Sequence, residues 1–260
     1  MVRDSAGAES PPLVLLHGVT MSSRIWHSTV PLLTQSHRVV VPTALGHRGG
    51  PEPRQRPVTF RDLVDCAEAE IDRLGEPKVH LAGNSLGGWM ALELARRGRA
   101  LTVCALSPAG FWLPGEPSQT TATNGIRKSW ALAHASRKLT SILLRSSRLR
   151  AHSFAGIAHG GVLSHEEAVT IARDLLECTV TEDMLSTTDR FDPWHDLSCP
   201  VTIAWSKEDL VFPQAVNEPI ARERVPEARF ETLDGVGHVP MLDDPDLVAD
   251  TILRATGAIQ

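Results

Sequence analysis

Ser85 is the residue whose surroundings most suggest chemistry, because it stands in Gly83-Asn84-Ser85-Leu86-Gly87-Gly88, a G-x-S-x-G pattern. An apolar run, Lys78-Val79-His80-Leu81-Ala82, leads into it, and a helical pattern from Leu86 to Arg97 leads out. So tight a strand-to-helix turn exposes a serine hydroxyl only by straining the serine backbone, and glycines leave room for the turn. The first N–H groups of the following helix have no intrahelical partner and face the same place. The motif alone also fits a glycine-rich helix start capped by serine. A serine hydroxyl is a poor nucleophile without a base, so the reading depends on partners elsewhere.

Two later segments supply candidates. Asp209 follows the apolar run Val201-Thr202-Ile203-Ala204-Trp205, and His238 follows Ala228-Arg229-Phe230-Glu231-Thr232-Leu233. The chain order of serine, acid and histidine is the one a nucleophile elbow uses. Ser85 would attack a carbonyl, His238 would act as general base, and Asp209 would orient the histidine. Glu208 is a rival acid one residue away. A carbonyl under attack needs two N–H donors for its developing oxyanion. The backbones of Leu86, after the serine, and Val19, in the loop His17-Gly18-Val19-Thr20-Met21-Ser22-Ser23, are the candidates. His17 itself reads as a brace for that loop.

These residues must be delivered by strands. The runs named above, with Leu13-Val14-Leu15-Leu16, Arg38-Val39-Val40-Val41 and Leu101-Thr102-Val103-Cys104-Ala105-Leu106, are short and largely apolar. Such runs fit strands covered on both faces, as in a parallel sheet. Helical patterns alternate with them. Thr59 precedes an apolar face of Phe60, Leu63, Val64, Ala67 and Ile71, Gly98 follows the helix begun at Leu86, and a last helix spans Asp246 to Ala255 before Gly257. The alternation predicts a doubly wound, mostly parallel α/β sheet. From about Gly110 to Asp196 no strand pattern occurs, which predicts a helical cap at residues 110–196 inserted into a core of residues 1–109 and 197–260. Its Trp112, Trp130, Phe154 and Trp194 could be cap core or pocket wall. Trp112, Trp130 and Phe154, with Val211 and Val239 beside the acid and the histidine, are the candidates for substrate contact.

With these segments in view the chain resembles the α/β-hydrolase superfamily over nearly its whole length. The resemblance is carried by His17-Gly18 with Trp26 downstream, by the elbow, by Ala204 to Pro213, and by Gly237-His238-Val239-Pro240 trailed by Asp244-Pro245. In relatives the acid loop commonly reads Gly-x-x-Asp-x-x-x-Pro; here Ser206 replaces the glycine and the acid falls on Asp209. The resemblance implies an α/β-hydrolase fold with a helical cap inserted after the sixth core strand. It implies a serine hydrolase of small-molecule carboxylic esters or lactones. The Gly-Asn-Ser-x-Gly-Gly elbow is also similar to that of carbon–carbon bond hydrolases, so cleavage of a β-diketone or vinylogous ketone stays open. A perhydrolase and a non-catalytic ligand-binding member are further alternatives. One segment departs from the family: after the second apolar run relatives carry Asp-x-x-Gly-x-Gly-x-Ser, where this chain has Thr43-Ala44-Leu45-Gly46-His47-Arg48-Gly49-Gly50. The lost aspartate bears on loop bracing more than on chemistry. Arg48 could bind a substrate carboxylate, but a surface ion pair is the expected role.

Composition narrows the partners. The 260 residues are 42% hydrophobic and 22% charged, with a net charge of -5, so no basic surplus points to nucleic acid or an anionic membrane. The arginines of Ser146-Ser147-Arg148-Leu149-Arg150 read as a solvated helix face. Cys66, Cys104, Cys178 and Cys199 form no CxxC pair, and His152, His159 and His165 lack metal-ligand spacing. Neither a P-loop nor a G-x-G-x-x-G helix start occurs, so no cofactor and no metal are expected. Polar Met1 to Pro12, and the lack of any run near the roughly 20 apolar residues of a span, predict a cytoplasmic protein acting on a small molecule.

Overall fold

The computed structural model describes residues 11–113, 117–158 and 163–259, with the backbone alone at 117–121. Six strands form one sheet: β1 (Leu13–Leu16), β2 (Val39–Val40), β3 (Val79–Asn84), β4 (Ala100–Leu106), β5 (Val201–Ser206) and β6 (Arg229–Leu233). Their order is β2-β1-β3-β4-β5-β6, and every pairing is parallel. The helices are α1 (Val30–Leu33), α2 (Phe60–Arg73), α3 (Leu86–Arg96), α4 (Pro117–Ser136), α5 (Thr140–Leu143), α6 (Ser147–Phe154), α7 (His165–Glu177), α8 (Thr181–Leu185), α9 (Gln214–Arg224) and α10 (Pro245–Thr256).

The largely apolar strands have the explanation expected of them. In β1, β3, β4 and β5 successive side chains point to opposite faces, and both faces are largely buried. Val14, Leu16, Val103, Ala105, Ile203 and Trp205 pack with α2, α3 and α9. Leu13, Leu15, Cys104, Leu106 and Ala204 pack on the other side with Leu33 and with Val248, Ile252 and Leu253 of α10. Burial pushes the Cys104 thiol up to about 12, so it behaves as a small apolar residue.

Local signals set the helix ends. Thr59 and Asp62 close a capping box at the start of α2. Asp244 caps α10, and Gly257 ends it at φ 77°. The second apolar run shortens to Val39–Val40. It is an edge strand running toward Pro42, which has no N–H to donate to a ladder.

The insert between β4 and β5 carries α4 to α8 and no strand among the described residues. It leaves the sheet after the fourth strand described, not after a sixth, because only four strands precede it among those residues. It has no core of its own. Trp112, Val180, Met184, Phe191 and Trp194 join one core cluster, and Leu144, Leu163, Ala168 and Ile171 join the other.

Both ends of the insert are held by Arg224 of α9. Its buried guanidinium donates to the carbonyls of Gly110 (3.0 Å), Phe191 (2.9 Å) and Trp112 (2.9 Å). Asn217 adds a bond to the Phe111 carbonyl at 2.8 Å. Arg224→Met keeps much of the volume but strands three carbonyls. The expected loss is about 3 kcal/mol, or a Tm lower by roughly 6–12 °C in calorimetry. A wild-type Tm would show that the carbonyls find other donors. No helix among the described residues is long and apolar enough to cross a membrane.

Candidate active site

The strain expected at the elbow is present. Ser85 sits at φ 56° and ψ -118°, between the end of β3 and the start of α3. Its N–H donates to the Leu106 carbonyl at 3.0 Å, and its own carbonyl accepts from Trp89 (3.1 Å) and Ala109 (3.0 Å). The motif glycines are required by space. A Cβ on Gly83 would lie 2.2 Å from the Gly87 carbonyl oxygen, and one on Gly87 would lie 2.2 Å from that of Leu16. A Cβ on Gly18 would come within 3.3 Å of the Ser85 Cβ, so the loop carrying Val19 begins directly against the serine. Leu86 is the first residue of α3, where the helix N–H groups lack intrahelical acceptors.

Asp209 and His238 meet. His238 Nδ1 lies 2.8 Å from Asp209 Oδ2, and both side chains are nearly inaccessible to solvent. The other carboxylate oxygen, Oδ1, accepts the N–H groups of Val211 and Phe212, each at 2.8 Å. Trp205 at the end of β5 donates its indole N–H to the Phe212 carbonyl at 2.8 Å, closing the loop around Asp209. Glu208 is exposed, and its N–H donates to the Val236 carbonyl, stitching the acid loop to the histidine loop. Asp243 accepts the Gly237 N–H at 2.8 Å from the far side.

Asn84 links the two halves. Its side-chain amide donates to the His238 carbonyl at 2.8 Å and to the Leu106 carbonyl at 3.1 Å. The residue preceding the serine thus ties down the backbone of the histidine. Asn84 occupies a variable position of the motif, and nothing in its spacing could have marked it.

His17 braces its loop. Its Nδ1 lies 2.8 Å from the Gly18 carbonyl, and its Nε2 accepts the Ala44 N–H at 3.0 Å. Burial, with His47 nearby, lowers its pKa to about 3 against an opposing effect of the Gly18 carbonyl. The folded protein therefore keeps His17 neutral at pH values where the unfolded chain, at 6.5, takes a proton. Its stabilising contribution is complete above pH 6.5 and is lost as pH falls toward 3. The loss is about 1.4 kcal/mol per pH unit, on the order of 3 kcal/mol by pH 4. Urea unfolding of wild type and His17→Asn at pH 7, 5.5 and 4 should show the gap between them closing by that amount. Parallel pH profiles would remove His17 from the account.

The Thr43–Gly50 loop docks on the insert. Arg48 does not serve the serine; it pairs with Asp174 of α7 at 2.8 Å and with Glu177 at 3.2 Å. The ion pair expected at the surface is partly buried, since Asp174 is buried and also takes the Ser22 hydroxyl at 2.5 Å. Gly46 accepts the Thr179 N–H at 2.8 Å, and a Cβ there would meet Val180 at 2.2 Å. Burial works against charge on neighbouring His47, but the Cys178 thiol, the Leu45 carbonyl and Asp174 raise its pKa overall.

The candidates for substrate contact divide. Val211 belongs to the Asp209 loop, and Val239 is buried next to His238 with its N–H on the Ile157 carbonyl at 2.8 Å. Phe154 is half-buried in the cluster that contains Val239. Trp112 lies 5.8 Å from the Phe212 ring, which lies 5.3 Å from His238. Trp130 is exposed on α4, with its ring tilted against that of His134 at 4.0 Å. Its helix turns that face to solvent, which sequence spacing did not indicate. Trp194 is buried in the core cluster shared with the sheet, packed on Phe191. His152 lies in the last turn of α6 and His165 begins α7, while His159 and most of the Met1 to Pro12 segment lie outside the described residues. A cleft of about 500 Å3 opens along the seam between α7 and the Arg24–His27 turn; neither Ser85 nor His238 lines it.

A parallel sheet that delivers a strained serine, a buried acid and a histidine to one edge is the architecture of an α/β hydrolase. The chain belongs to the alpha/beta hydrolase family, whose model matches residues 13–251. It is 31% identical over 196 residues to the epoxide hydrolase EphH of Mycobacterium tuberculosis, covering 73% of this chain and 91% of that one. It is 28% identical over 249 residues to a pimeloyl-(acyl-carrier protein) methyl ester esterase of Aromatoleum aromaticum, covering 91% and 94%. The crystal structure of carboxylesterase CesB from Bacillus subtilis superposes with a TM-score of 0.71 at 20% identity, covering 98% of this chain and 87% of that one.

Proposed function

We propose that this hydrolase cleaves a small-molecule carboxylic ester or lactone through an acyl-enzyme on Ser85. The observation that carries the reading is the buried His238–Asp209 bond at 2.8 Å, with the His238 backbone tied to the residue before the serine. A carboxylate can only accept, so Nδ1 holds the proton and Nε2 is left as the base. His238 takes the Ser85 proton, the oxygen attacks the carbonyl, and the N–H groups of Leu86 and Val19 receive the oxyanion. The adduct then collapses by breaking its bond to the alcohol oxygen, which takes the proton back from the imidazole and leaves, and water activated by the same imidazole releases the acid. The insert acts as the cap, excluding bulk water and selecting the acyl or alcohol group.

Chemistry separates this reading from the activity that names the epoxide hydrolase relative. Serine attack on an epoxide carbon leaves an ether, which base-activated water does not cleave. Attack on a carbonyl leaves an ester, which it does. Purified protein offered p-nitrophenyl esters, lactones, β-diketones and epoxides should turn over the first two. A fluorophosphonate should add its mass to the peptide containing Ser85. Epoxide turnover without ester turnover, or no labelling of Ser85, would overturn the proposal.

A further inference from the structure

The insert distributes its charge unlike the rest of the chain. From Pro117 to His165 there are seven Lys and Arg and no Asp or Glu, in a protein whose net charge is -5. Whole-chain charge had argued against an anionic membrane, but that sum averages over this segment. Two of the seven cations are used internally: Arg127 pairs with Glu182, and Arg150 binds the carbonyls of Leu144, Arg145 and Leu163. Lys128, Arg137, Lys138, Arg145 and Arg148 are exposed and have no acidic partner among the described residues. Interleaved with them are exposed apolar side chains: Trp130, Leu132 (67%), Leu139 (54%), Ile142 (59%), Leu143 and Leu149. All of these lie on or beside α4, α5 and α6, and α7 packs beneath those three helices.

We propose that the outer face of α4 to α6 docks on a membrane surface rich in anionic phospholipid. Basic side chains around exposed Leu, Ile and Trp are the composition of a surface that rests in the headgroup region, with charge drawn to the leaflet and apolar tips inserted. A second copy is disfavoured because like charges would face one another. Nucleic acid is disfavoured because Trp130 is the one exposed aromatic of the patch. Apolar tips scattered over three helices suit a fluid surface, which needs no matching shape.

The test uses full-length protein with vesicles of phosphatidylcholine, alone or with about one third phosphatidylglycerol, in ~0.1 M salt. Co-sedimentation should occur with the anionic vesicles only. It should fall by at least about tenfold in K128E/R137E/K138E/R148E, whose Tm should match wild type because the four residues are exposed. Trp130 is the one exposed tryptophan of six, so brominated phosphatidylglycerol should quench wild-type fluorescence far more than that of Trp130→Phe. Absent binding, equal binding to neutral vesicles, or equal quenching in both proteins would overturn the proposal. Binding to poly-glutamate without binding to vesicles would also overturn it and point to an acidic protein.

Discussion

Ser85→Ala is expected to lower turnover of an activated ester by about a million-fold, to within a few thousand-fold of the uncatalysed rate. On the proposed mechanism the alanine deletes the one atom that attacks. It leaves untouched the elbow, where a Cβ on Gly83 or Gly87 would meet backbone at 2.2 Å, and the helix N-terminus behind it. Substrate should still bind, so KM should change little while kcat collapses. The strained φ of 56° remains unfavourable for alanine, and stability should shift by less than about 1 kcal/mol. Turnover within tenfold of wild type would remove Ser85 from the mechanism, because no second hydroxyl occupies the elbow.

Asp209→Asn should lower kcat by about ten-thousand-fold while the protein stays folded. The direction follows from how the carboxylate is held. Oδ1 accepts two backbone N–H groups, so an asparagine must turn its amide oxygen to Val211 and Phe212. Its NH2 then faces His238 Nδ1 and donates to it. That places the imidazole proton on Nε2, where it blocks uptake of the serine proton. The amide keeps all three contacts, so Tm should move by only a few degrees. Asp209→Ala strands two N–H groups and should lose kcat and stability together. If Asp209→Asn keeps full activity, the 2.8 Å contact holds the loop and does not orient the base.

Much of this site was legible in the chain because it is built from local patterns. Apolar runs of four to six residues identify strands covered on two faces, and the loops of Val19, Ser85 and Asp209 directly follow such strands, while the His238 loop follows the partly exposed edge strand β6. The elbow was legible because its glycines satisfy a short-range demand for space. Asp209 was separable from Glu208 by its register against Pro213, and burial agrees with that choice. Local pattern failed where a partner lies far along the chain. Arg48 reads as an ordinary surface arginine until Asp174 of α7 is placed beside it. Trp130 reads as a pocket residue until the facing of α4 is known. Arg224 and Asn217 carry no motif, yet they hold the start of the insert through backbone carbonyls that any residue would present.

The sequence by itself determined the class of sheet, the chain order of serine, acid and histidine, and the glycines that make the elbow possible. Those features rest on alternation, turn space and covalent adjacency, which act over a few residues. Tertiary structure alone decided that Asn84 ties the histidine loop to the serine, that Asp209 reaches His238, and that the Thr43–Gly50 loop docks on the insert. Each of those depends on groups brought together across the chain, and their types carry no sign of the partner until burial removes the competing water.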